Sequence, residues 1–163
     1  MAAGPAQGTL LPEAMKPAAD TTVTPSARSL WEIPVREAMH SGVLTCPVDA
    51  PLSEAARIMA LERVHCVVVM SDPEDGGSLW GVVSDLDLVA GASVRDIEEQ
   101  TAGGTAATPV IMIGPGDKLL RAAQLMTEHA TSHLVVVDPA SGLPVGVLST
   151  LDLARGLAPA VSK

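Results

Sequence analysis

Phenylalanine and tyrosine are absent from this 163-residue chain, and Trp31 and Trp80 are its only aromatic residues. A planar ligand would therefore be gripped by aliphatic side chains, and a ring-stacking platform for nucleic-acid bases is excluded. Basic residues are scarce as well. Ten Lys and Arg face 19 Asp and Glu, a formal charge of −9, which opposes the phosphate attraction that dominates nucleic-acid binding. Only two cysteines occur, Cys46 and Cys66, both among apolar neighbours, so reduced and packed thiols are expected in place of a disulfide. No apolar run approaches the length that crosses a bilayer, so no membrane partner is expected. The first residues lack the basic start and sustained apolar core of a secretory signal, and a cytoplasmic location is the expectation. Also missing are a nucleophile beside a base, a Gly-x-x-x-x-Gly-Lys loop, a metalloprotease helix and a paired Cys/His spacing. The chain reads as neither an enzyme nor a metal protein.

What is present is a duplication. Gly81-Val-Val-Ser-Asp-Leu-Asp-Leu88 returns as Gly146-Val-Leu-Ser-Thr-Leu-Asp-Leu153. In both copies an apolar strand (79–83 and 143–148) runs into Ser-x-x-Asp and then a short helix. The hydroxyl and carboxylate thus sit at a helix N-terminus, where outward-pointing N–H groups favour anions and hydroxyl ligands. Ser84-x-x-Asp87 and Ser149-x-x-Asp152 fit a capping box equally well. On the motif alone both readings stand.

Residues 1–30, rich in Ala, Pro, Thr and Gly, predict a mobile tail that ends in a docked segment around Leu30, Trp31 and Ile33. The first repeat is assigned to 31–92, the second to 93–158, and 159–163 to a tail. Pro34 opens a short helix over 35–39. An extended piece at 43–46 precedes a helix over 52–62, whose Leu52, Ala55, Ala56, Met59 and Ala60 recur at helical spacing. The β-branched run 64–70 predicts a strand buried on both faces. A turn over 72–77 returns it to the strand at 79–83, and Gly91 is read as closing the helix that follows. The second copy is taken to begin at Val94-Arg-Asp-Ile97, parallel to Val35-Arg-Glu-Ala38, with a Gly-rich mobile loop over 98–108. Leu52 and Met59 match Leu119 and Met126 at an offset of 67, His65 is paired with His133 at 68, and Gly81 with Gly146 at 65. Repeats of this size bury their faces against each other.

These residues are recognisable. Each copy resembles a cystathionine β-synthase (CBS) domain, and the two together resemble the tandem pair called a Bateman module. In the first copy the resemblance rests on Val35-Arg-Glu-Ala-Met39, Thr45-Cys-Pro-Val-Asp-Ala-Pro-Leu52 and Gly81 to Asp87. In the second it rests on Pro109 to Leu119, Met126, His133 to Asp138 and Gly146 to Asp152. It implies an α+β fold of two pseudo-twofold-related β-α-β-β-α repeats packed sheet to sheet. It also implies a homodimer through the helices over 52–62 and 119–129, and two clefts for an adenosine-containing ligand. AMP, ADP, ATP or S-adenosylmethionine would act there as a regulatory ligand, with no cofactor required, and would signal to an unidentified protein target. The alternative is a constitutive dimerisation or scaffold module with no bound nucleotide.

Carried over from the family, one cleft joins Thr45, Val64, His65 and Val67 to Ser149, Thr150, Asp152 and Arg155. The Asp holds ribose hydroxyls, the Ser/Thr approaches a phosphate, and Arg155 adds a cation one helical turn beyond Asp152. The other cleft joins Val110, Met112, His133 and Val135 to Ser84 and Asp87. Met112 stands where the family has Thr or Ser and lacks the hydrogen-bonding power of a hydroxyl, while Asp85 adds a second acid. The Asp152 cleft is therefore expected to be the better site.

Overall fold

The computed structural model describes residues 30–72, 74 and 77–158. The tails expected at 1–30 and 159–163 lie outside them, apart from Leu30, as do three of the six residues of the turn over 72–77. The described chain opens with helix α1 (Val35–Ala38) and strand β1 (His40–Ser41). The first repeat follows as β2 (Thr45–Pro47), α2 (Leu52–Glu62), β3 (Cys66–Met70), β4 (Leu79–Ser84) and α3 (Asp85–Val94). After the linking helix α4 (Ala102–Thr105) comes the second, β5 (Met112–Ile113), α5 (Leu119–Glu128), β6 (His133–Val137), β7 (Pro144–Ser149) and α6 (Thr150–Leu157). In each repeat the first and second strands pair in parallel across the helix, and the second and third form an antiparallel hairpin. This is the expected β-α-β-β-α order.

The sheets stack face to face. Cys66, Val68 and Val82 of one sheet and Val135 of the other form a buried cluster between them. Because side chains alternate along a strand, Val67, Val69 and Val83 point the opposite way and pack beneath α2 with Leu52, Ala55 and Met59. Leu119, Ala122 and Met126 of α5 repeat that arrangement over Leu134, Val136 and Leu148. The β-branched run is thus buried on both faces, as expected. Both cysteines are free and buried, and desolvation pushes the Cys66 thiol up to about 12.

Three expectations need correction. The stretch over 98–108 is an ordered docking segment. Thr101 caps α4 through its side chain, and the Ala102 and Gly103 amides donate to the Ala50 and Val48 carbonyls at 2.8 and 2.9 Å. Second, α3 runs through Gly91 to Val94, because the helix is continued where Leu52 packs closely against Gly91. Third, the counterpart of α1 is α4 and not the stretch over 94–97. Val35 and Arg36 donate to the Asp117 and Pro115 carbonyls, just as Ala102 and Gly103 do 67 residues later to Ala50 and Val48.

Each leading segment crosses to the other half. Val35, with the partly buried Leu30 and Ile33, packs into the core of the second repeat, whereas Ala102 packs into that of the first. Trp31, expected to dock with them, is 70% exposed. β1 pairs antiparallel with β7, joining His40 to Val147 and Ser41 to Gly146, and Ala107 bridges Val82 in the same way. This crossing explains the glycine of each repeated motif. A Cβ on Gly146 would lie 2.5 Å from the His40 carbonyl oxygen, and one on Gly81 would lie 2.7 Å from the Ala106 Cβ and 3.0 Å from the Ala107 oxygen.

Candidate functional site

The register of the hairpins decides which residues meet. Cys66 lies opposite Ser84 and His133 lies opposite Ser149, so His133 corresponds to Cys66 and not to His65. His65 corresponds instead to Ser132, since the Asp85 amide donates to the His65 carbonyl and the Thr150 amide to that of Ser132. The offset of 67 therefore persists without a gap from Pro34 to the hairpin. The two histidines occupy different places.

Both Ser-x-x-Asp motifs form capping boxes. The Ser84 amide and hydroxyl donate to Asp87 Oδ2 at 2.7 and 2.6 Å, and the Asp87 amide donates to Ser84 Oγ at 3.3 Å. Ser149 and Asp152 repeat these contacts at 2.8, 2.7 and 3.3 Å. What distinguishes the two is the other carboxylate oxygen. Asp152 Oδ1 receives Arg155 Nη1 at 3.1 Å and faces His40 Nε2 at 3.2 Å, and the residue is only 2% exposed. Asp87 is half-buried, and its Oδ1 accepts no hydrogen bond from a described residue.

The open cleft lies on the Asp87 side. It encloses about 290 Å³ between Val82, Ser84, Leu86 and Asp87 of the first half, residues 107–111 between α4 and β5, and residues 129–133 leading into β6. That is close to the lower bound of roughly 300 Å³ for small-molecule sites. Its walls are aliphatic at Val82, Pro109, Val110 and Ile111, and its polar groups gather at Asp87, Ser132 and His133. The two sides thus differ in what engages the carboxylate. The difference lies in the crossing segments, where His40 covers Asp152 while its counterpart Ala107 leaves room beside Asp87.

Of the residues assigned to this cleft, Val110, His133, Ser84 and Asp87 line it. Met112 is exposed and absent from its walls, and Val135 is buried between the sheets. Around Asp152, Val67 points into the first-half core and Val64 packs partly against that core. His65 Nδ1 is held by Asp85 Oδ2 at 2.9 Å, while Thr45 and Thr150 are exposed. Sequence reasoning missed Ala107 and Thr108, placed in a mobile loop over 98–108. The ungapped match of Val35 with Ala102 was the available signal.

Burial lowers the His133 imidazole below its ordinary 6.5, assisted by His65 and against the opposing pull of Asp85, Asp152 and Asp87. Between the folded value and 6.5 the unfolded chain binds the extra proton, so this residue's contribution to stability falls as pH drops through 6.5. Urea midpoints measured from pH 8 to 5.5 should fall more for the wild type than for His133→Gln. An equal fall in both would contradict this assignment.

Comparison with known proteins gives a consistent set of relatives. The sequence model of the CBS domain matches residues 35–93 and 94–159. The CBS domain-containing protein CBSX3, mitochondrial, of Arabidopsis thaliana is 28% identical over 118 residues, 70% of this chain. The match takes in only 56% of that relative's length. Among solved structures, a CBS domain protein of Pyrobaculum aerophilum complexed with AMP is similar at 31% identity and a TM-score of 0.65, covering 74% of this chain and 90% of that one. The CBS domain pair of protein MJ0100, complexed with 5′-methylthioadenosine and S-adenosyl-L-methionine, shares the fold at 20% identity and a TM-score of 0.66, over 76% of this chain and 94% of that one. Among the described residues no helix is long and apolar enough to cross a membrane, and no group of three His, Cys, Asp or Glu could hold a metal ion.

Proposed function

Because the chain belongs to the CBS domain family and carries two such repeats in tandem, we propose that it is a non-catalytic regulatory module that binds an adenosine-containing ligand in the Asp87 cleft. The observation that carries this reading is the coincidence of an open cleft with a carboxylate oxygen left unengaged at its edge. Ribose hydroxyls donate to Asp87 Oδ1, and the aliphatic walls grip the base that no aromatic ring is available to stack. AMP in the 31%-identical relative supports the ligand class. The ligand touches both repeats, so it favours one arrangement of the halves over others and conveys its occupancy to a partner protein as a population shift. Thermal unfolding against a panel of adenosine, AMP, ADP, ATP and S-adenosylmethionine tests this. A ligand at a hundred times its dissociation constant should stabilise the fold by about 2.7 kcal/mol, and no shift with any member would reject the reading.

Assembly is the second reading, favoured by Leu86, Val89 and Val94, all exposed on α3. We propose that helix surfaces of two chains pair to form a homodimer. A sedimentation mass near 16.6 kDa, that of one chain, would exclude it.

A further inference from the structure

The start of α3 differs from that of α6 in one residue. Position 85 is Asp where the second repeat has Thr150. Asp85 Oδ1 accepts from the Leu86 amide at 2.9 Å, and its Oδ2 is held by His65 Nδ1. The Asp85 amide already donates to the His65 carbonyl, and the Asp87 amide to Ser84 Oγ. All three leading N–H groups of α3 are therefore satisfied within the chain, the middle one by a carboxylate. A helix start that could receive a ligand phosphate already carries an anion of its own.

The rest of the cleft offers a phosphate no lysine or arginine in exchange. Its titratable groups are Asp87, His129 and His133. Three of its four lining hydroxyls are engaged, with Ser84 Oγ donating to Asp87 Oδ2, Thr131 Oγ1 donating to the His133 carbonyl, and Ser132 Oγ hydrogen-bonded to His133 Nδ1, while Thr108 is the fourth. The His65 contact holds the Asp85 carboxyl below the usual carboxylate range, so it stays charged. By contrast Arg155, beside Asp152, has the neutral Ala90 at the matching position of the first repeat.

We infer that the Asp87 cleft selects phosphate-free adenosine compounds, with Asp85, which stands just outside the cleft lining between Ser84 and Leu86, acting as a built-in anion that disfavours the phosphate of AMP and ATP. This inference rests on the ligand-binding reading above and narrows it to nucleosides and their uncharged 5′-substituted derivatives. The small volume of the cleft agrees, since it suits a nucleoside better than a triphosphate.

Titration calorimetry on the full chain at pH 8, above the ordinary imidazole range, with 5′-methylthioadenosine, AMP and ATP tests the inference. The thioether should bind about tenfold or more tighter than AMP, and ATP should bind weaker still, as repulsion between like charges predicts. Asp85→Thr, which copies the second repeat, should raise AMP affinity roughly five- to tenfold while leaving the thioether within about twofold. AMP or ATP binding the wild type as tightly as the thioether would overturn the inference, as would an Asp85→Thr variant whose AMP affinity is unmoved; either leaves the ligand-binding reading intact. Silence toward all three compounds would overturn that reading and this inference together.

Discussion

Asp87→Ala should weaken nucleoside binding by about ten- to a hundred-and-fifty-fold, the loss of charge-assisted hydrogen bonds worth about 1.5–3 kcal/mol. Asp152→Ala should leave that affinity within about twofold. The reason is that Asp152 has both carboxylate oxygens committed inside the protein, to Ser149 on one side and to Arg155 and His40 on the other. Each substitution also removes half of a capping box, a loss of about 0.5–2 kcal/mol of stability. The larger stability loss is expected at Asp152, where Arg155 and His40 lose their partner as well. Calorimetric affinities read beside urea unfolding curves separate the two effects. Equal affinity losses at both positions would show that His40 yields its place to a ligand.

Gly146→Ala should destabilise the fold by about 1–3 kcal/mol, the usual cost of forcing atoms into a packed site. The added Cβ would meet a backbone oxygen, that of His40 at 2.5 Å, together with Met39 Sδ at 3.0 Å. A backbone segment cannot swing aside as a side chain can, so β1 must separate from β7. Gly81→Ala meets first the Ala106 Cβ, and the Ala107 oxygen only at 3.0 Å, so its effect should be smaller. Thermal melts followed by circular dichroism should show a fall of roughly 2–4 °C per kcal/mol for a chain of this size. A Gly146→Ala variant with an unchanged melt would mean that β1 does not cross β7 as described.

Much of this architecture is legible in the sequence because it rests on local patterns. The β-branched runs, the helical spacing of Leu52, Ala55 and Met59, and the repeated Ser-x-x-Asp each follow from contacts within a few residues. The exchange of leading segments is different. Nothing near Val35 says that it packs beside Leu119, and nothing near Ala102 says that it joins Leu52. The hairpin register was misread at one place for a related reason: His65 and His133 are alike in type, but strand pairing aligns His133 with Cys66. The surroundings of the two carboxylates depend on the same long-range geometry. Arg155 was expected to favour a ligand, yet it meets Asp152 directly, and His40 arrives from the other end of the chain to complete the closure. Met112 was weighed as a wall of the open cleft, while Ala107, which makes room in it, stood in a stretch read as a loop.

The central claim is that one of two equivalent clefts is open because Ala107 stands where its counterpart has His40. A crystal structure of the chain grown with 5′-methylthioadenosine tests it most directly. The expected result is density for the nucleoside between Val110 and the 131–133 segment, its ribose hydroxyls on Asp87 Oδ1, with His40 still against Asp152. Density at Asp152 with His40 displaced, and the Asp87 cleft empty, would contradict it.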